Sequence, residues 1–254
     1  MTDRAIQDEL IRALADAPYR ASPEWRGRDL ADAGRVERFA RFLARHFYYE
    51  RIVNFFKYSR ALARVTGRRP EAVLKRPGFE ALLPAIVLGS RASARDVARL
   101  AVEYVSDGPV RIPYLPDLLR YEAAMMVAEA GPRVWRDGME GEAGGEREVP
   151  ETVEGTVLLD LAYDLPAVLP KLLQSWTEVP EAPPRPTKLL VARSPHGRVA
   201  VARTDQAVSA VIRLADGKRT LDDLAAGAGV PVDELKAALQ GLVDLGAVRF
   251  STGS

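Results

Sequence analysis

The side chains that usually carry enzyme chemistry are scarce in this chain. Cysteine is absent, which removes disulfides, thiolate metal sites and cysteine nucleophiles together. The two histidines, His46 and His196, lie far apart, and no HExxH or comparable pair sets two imidazoles on one helix face. This speaks against a transition-metal site and against a histidine-dependent triad. Tyrosine, glutamate and arginine are present, yet by themselves they specify no reaction. The expectation is a chain with no catalytic residue, no metal ligand set and no cofactor of its own.

Charge is the more informative signal. The net charge is +1, but between Arg35 and Arg76 twelve Arg and Lys face only Glu37, Glu50 and Glu71. The face from Arg35 to Arg64 has three readings: a solvated surface, a contact for an acidic partner, or a nucleic-acid patch. From Asp137 to Glu154 the sign reverses, with seven acids and the single Arg147 among several glycines. Like charge, low hydrophobicity and glycine describe a flexible linker.

The elements that must position any site follow from length and periodicity. A chain of 254 residues, 47% hydrophobic and 28% charged, predicts one or two globular domains. The longest uncharged apolar run, Ala81–Ser90, is about half of a membrane span. The N-terminus interleaves charges with apolar residues, unlike a secretory signal. A cytoplasmic chain without membrane association is expected.

The fold class is expected to be mainly α, with a helical domain over 1–136, an acidic linker over 137–154 and a small α+β domain over 155–254. In the first, Ile6, Leu10, Ile11 and Leu14 recur at helical spacing, as do Val36, Phe39 and Leu43. The helix over 35–65 is unusually long, and a break is expected near His46–Tyr49. Ser93 with Asp96 reads as a capping signal, and 113–130 as a last helix. In the second, strands are expected at 156–163, 187–193, 198–203 and 247–251. Helices are expected at 166–174, 205–215, 221–226 and 231–245. This order is that of a winged-helix-like module.

Two functions suit such a module. A DNA-binding helix must neutralise phosphates, whereas PVDELKAALQGLVDLG carries Asp233, Glu234 and Asp244 against Lys236, and the preceding helix opens with Asp222 and Asp223. Nucleic acid is thus the disfavoured partner, though a winged-helix regulator stays open as the alternative. The other use is peptide capture, in which an extended peptide adds a strand to an exposed sheet edge. The expected edge is Arg198–Arg203, with Arg198, Val199, Val201 and Arg203 from the strand and Leu235 and Leu239 from the last helix lining the groove.

The second module resembles the peptide-recognition elements of ribosomally made, post-translationally modified peptide pathways, the fold of the peptide chaperone in pyrroloquinoline quinone biosynthesis. The phrases DLAYDLPAVLPKLLQ, TKLLVARSPHGRVAVARTDQAVSAVIRLADGKRTLDDLAA, FARFLARHFYYERIVNFFKYSRAL and YLPDLLRYEAAMMVAEAG together resemble the partner proteins of multinuclear non-haem iron-dependent oxidative enzymes, over nearly the whole chain. The resemblance implies a heterodimer in which the separate enzyme holds the iron. This chain would bind the leader of a precursor peptide and present its core. The helical half would then carry the partner interface, for which Tyr48, Tyr49, Phe55, Tyr114, Leu115, Asp117, Tyr121 and Glu122 are the candidates. Polar-tipped aromatics are enriched where surfaces become buried between proteins. About half of Tyr48, Tyr49, Phe55 and Phe56 are expected to be core instead.

Overall fold

The computed structural model describes residues 3–28, 32–131 and 148–252. The chain is mainly helical, with a small amount of antiparallel sheet in its C-terminal part. It divides into two compact units: Met1–Met126 with Leu169–Pro180, and Val127–Val168 with Glu181–Ser254. The expected boundary at 137–154 differs from this in two ways. A stretch expected in the second domain, 169–180, groups with the helical unit. Of the expected linker, 137–147 lies outside the described residues, while 148–152 is a paired strand.

The helical unit opens with α1 (Asp3–Ala15), α2 (Ala17–Ala21) and α3 (Pro23–Arg26). Then come α4 (Ala33–Phe55), α5 (Lys57–Ala61), α6 (Ala63–Thr66), α7 (Pro77–Leu82), α8 (Arg91–Ser106) and α9 (Leu115–Glu129), which crosses the unit boundary. Its interior holds Tyr48, Ile52, Phe56, Leu62, Phe79, Val97, Leu118 and Leu119, all at most 2% exposed. The long helix stays intact through His46–Tyr49 and breaks at Phe56 instead, ten residues after His46. Phe56 leaves helical geometry at φ −95° and ψ 34° while its N–H still closes α4 on the Ile52 carbonyl. The N-cap of α8 is Ser90, whose hydroxyl accepts from the Ser93 N–H; Ser93 itself lies within the helix, where its hydroxyl accepts from the Val87 N–H at 2.9 Å.

The second unit begins with β1 (Glu148–Thr152) and β2 (Val157–Leu161), followed by α10 (Leu165–Leu172), whose last turn belongs to the helical unit. After β3 (Thr187–Arg193) and β4 (Val199–Arg203) come α11 (Gln206–Leu214), α12 (Leu221–Ala228), α13 (Val232–Asp244) and β5 (Val248–Thr252). The larger sheet has the order β2-β3-β4, antiparallel throughout, and β1 pairs with β5 in a second, two-stranded sheet. Helices α11–α13 bury Val211, Ile212, Leu224, Leu235, Leu239 and Leu242 against Leu190 and Ala192 of β3. Thr220 and Asp223 close a reciprocal capping box that starts α12. Gly246, at φ 76°, ends α13 close beneath the Arg193 carbonyl.

Candidate functional site

Strand β4 is an edge strand, and the chain decides which of its backbone groups face outward. Ser194 N–H donates to the Arg198 carbonyl at 2.7 Å, and Thr204 N–H to the Lys188 carbonyl at 3.0 Å. With the register Leu190↔Ala202 and Ala192↔Ala200, these bonds fix residues 198, 200, 202 and 204 as the hydrogen-bonded positions toward β3. The N–H and C=O groups of Val199, Val201 and Arg203 therefore point away from the sheet. Among the described residues they take no backbone partner. The edge offers three outward donor–acceptor positions at alternate residues, the pattern an added strand requires.

The same alternation corrects the expected groove. Val201 sits opposite Val191, and Val199 opposite Arg193, whereas Leu190 and Ala192 pack in the core with Leu235 and Leu239. Cross-strand partners share a face and successive residues alternate. Val199 and Val201 thus lie on the opposite sheet face from Leu235 and Leu239, which are at most 1% exposed. The helix-facing side chains of β4 are the half-buried Ala200 and Ala202. The six residues do not form one groove: the strand supplies the edge, and the two leucines are core.

The ends of β4 carry charge. Arg198 is exposed in the Ser194–Arg198 turn. Arg203 donates to Asp164 Oδ1 at 2.6 Å, and Arg185 donates to Asp164 Oδ2. Burial pushes the Asp164 carboxyl up, but the hydrogen bond and charge of Arg185, joined by those of Arg203, outweigh it and hold the pKa below the usual carboxylate value. Asp164 was not singled out from the sequence. The signal was a lone acid between apolar runs, with no local partner to mark it.

The expected partner-interface set is largely interior. Tyr48, Tyr114, Leu115, Asp117, Tyr121 and Glu122 are buried within the helical unit, Phe55 is half-buried, and Tyr49 is 45% exposed. Tyr114 donates its hydroxyl to the Pro180 carbonyl at 2.8 Å, which fastens the 169–180 stretch to the helices. Burial pushes the Tyr48, Tyr114 and Tyr121 phenols up to about 12. Glu122 is fully buried and caps the broken helix from across the fold: its Oε1 accepts from Tyr58 N–H at 2.7 Å and Ser59 N–H at 3.1 Å. Glu122 thus serves internal partners and Tyr121 is 6% exposed, so Tyr121→Ala and Glu122→Arg would be core substitutions rather than interface ones.

Two cations of the module are engaged by neighbours within it. Arg219 donates to the Leu214 carbonyl at 2.9 Å and stands 3.7 Å from Asp216, and Arg249 is paired with Glu151 at 2.8 Å. Asp233 and Glu234 of α13 are exposed. Among the described residues no cluster of three metal-ligating side chains occurs, and no helix is long and apolar enough to cross a membrane. No protein-family model matches this chain, and no curated protein is significantly similar to it.

Proposed function

We propose that this protein is a non-catalytic partner subunit whose C-terminal module captures an extended peptide as a fourth strand on β4. The observation that carries this reading is the outward N–H and C=O of Val199, Val201 and Arg203 on an edge strand. In an added strand, backbone bonds supply affinity and alternate side chains supply specificity. Residues of the peptide on one face would sit beside Ala200 and Ala202, whose small side chains leave room for apolar groups. Those on the other face would sit beside Val199, Val201 and Arg203. The ligand we propose is the leader of a ribosomally made precursor peptide, presented to a separate iron-dependent oxidative enzyme. That identity rests on the resemblance of the four quoted sequence stretches, with the edge geometry in support.

The test is titration of a fluorescein-labelled leader, from a precursor encoded beside this chain, and of a DNA duplex. Val201 N–H faces outward, so Val201→Pro removes a donor without breaking the β3–β4 ladder. One lost neutral hydrogen bond and the intruding ring are worth about 1–2 kcal/mol, or roughly 5–30-fold in Kd. Lys218→Ala with Arg219→Ala is expected to leave peptide affinity unchanged. If the charge pair controls binding and the proline does not, and the duplex competes with steep salt dependence, the module reads nucleic acid instead.

A further inference from the structure

The first helix and the long helix of the helical unit each leave a stripe of apolar residues in solvent. On α1, Ile6, Leu10 and Ile11 are 48%, 40% and 63% exposed; on α4, Phe39 and Phe42 are 49% and 59% exposed. Helical periodicity marks these positions as a core-facing stripe, yet among the described side chains of α1 only Ala13 is fully buried. Between the helices lies a groove of about 560 Å³ lined by Leu10, Leu14, Val36, Phe39 and Phe42. Phe39 stacks on Phe42 at 6.3 Å, and Phe42 on His46 at 6.1 Å and 2°. With Tyr49 these residues fall at i, i+3, i+7 and i+10, a stripe of about 15 Å along α4. A contiguous exposed apolar surface with a charged rim marks an interaction site.

From this face we infer a docking surface for an amphipathic, acid-flanked helix of a partner protein. The length of the stripe fits a helix, whose anchors recur at i, i+3, i+4 and i+7, better than a compact ligand filling the groove alone. The flanks follow from charge. Arg35 and Arg38 line the groove beside a single acid, Asp32, which stands 4.0 Å from Arg38. The next acid on α4, Glu37, is taken up by Arg20 at 3.0 Å and Arg41 at 2.9 Å. A two-fold pair presents the same patch from both sides, so a second copy would set this net-positive rim, Arg35 and Arg38 with Asp32, against another like it. An acidic partner complements the Arg35–Arg38 end of the stripe, while at the far end Glu50 stands 3.4 Å from His46. This surface belongs to the helical unit alone and is independent of peptide capture on β4.

The experiment uses the full chain and a displayed library of helical peptides. The library holds Leu, Ile or Phe at the anchor positions and lets the flanks vary among Glu, Lys and Gln. Selection on the wild type, with counter-selection on Phe39→Ser/Phe42→Ser, is expected to enrich Glu flanks at least tenfold over Lys. Arg35→Glu/Arg38→Glu is expected to reverse that preference while leaving the anchors unchanged. Both double variants alter exposed side chains, and circular dichroism melts verify that they fold. Analytical ultracentrifugation is expected to find the wild type monomeric at tens of micromolar. No enrichment over the counter-selected variant, or Lys flanks on the wild type, overturns the inference. Self-association abolished by the Phe variant also overturns it and assigns the face to a second copy.

Discussion

Replacing Glu122 by Gln probes the deepest polar contact of the helical unit, and its sign can be worked out in advance. Burial pushes this carboxyl up from 4.5 to about 8, against the opposing hydrogen bonds of Ser59 and Tyr58 and the charge of Lys57. The folded chain therefore holds one more proton than the unfolded chain between about 4.5 and 8. Where the folded state binds the extra proton, stability falls as pH rises. The contribution is complete below about 4.5, declines by about 1.4 kcal/mol per pH unit through that window, and levels off above about 8. At most about 5 kcal/mol is at stake over the whole window. Gln keeps an oxygen that can accept from Tyr58 and Ser59 and carries no charge to bury. Urea unfolding followed by far-UV circular dichroism, from pH 5 to 8.5, measures the difference between variant and wild type. The two histidines are common to both chains and cancel. Near pH 5 the stabilities are expected to agree closely, and by pH 8 Glu122→Gln is expected to be the more stable by a few kcal/mol. Parallel pH profiles would refute the reasoning, because they would mean that Glu122 ionises alike in both states. Glu122→Ala, which strands two amide donors and leaves a cavity, is expected to destabilise near pH 5, where wild type buries no charge, at about 1–3 kcal/mol per stranded group.

Three further outcomes are expected. Gly246→Ala would place a Cβ 2.1 Å from the Arg193 carbonyl oxygen at φ 76°, so thermal melts should show a loss exceeding about 3 kcal/mol, with disruption of the second unit. Leu118→Ala, at a site 0% exposed, is expected to cost about 2–5 kcal/mol in denaturant unfolding, and Tyr121→Ala a comparable amount, in contrast to Tyr49→Ala at the surface. Elemental analysis of the chelator-washed protein is expected to find no stoichiometric iron, zinc or copper, since a chain without Cys and with two separated His supplies few ligands.

The second unit was the more legible half. Strand and helix signals there are local: β-branched and aliphatic runs at 187–193 and 198–203, the Thr220–Asp223 box, and Gly246 as a stop. Each acts within a few residues, so periodicity and capping locate it. Strand β1 escaped because EVPET pairs two acids with a proline, a composition that reads as linker. It is a strand because β5 and the Ala215 carbonyl satisfy its backbone, with Thr152 N–H donating to Ala215 at 2.8 Å. The candidate site was legible as an edge but not as a groove. Placing Val199 and Val201 beside Leu235 ignored a parity that the register with β3 fixes.

By itself the sequence determined the fold class, the order of elements from 156 onward in the second unit, and the absence of cysteine and of paired histidines. Those depend on composition and on periods of two and 3.6 residues, which are properties of neighbouring positions. Tertiary structure alone decided which amphipathic faces are covered. Tyr121 and Glu122 carry polar tips and look like surface residues, yet the helix break at Phe56 turns two amide donors toward Glu122 from 63 and 64 residues away. Ile11 and Phe42 look like core, yet no described part of the chain covers them. A side chain's burial depends on what the rest of the chain brings to it, and local spacing carries no record of that.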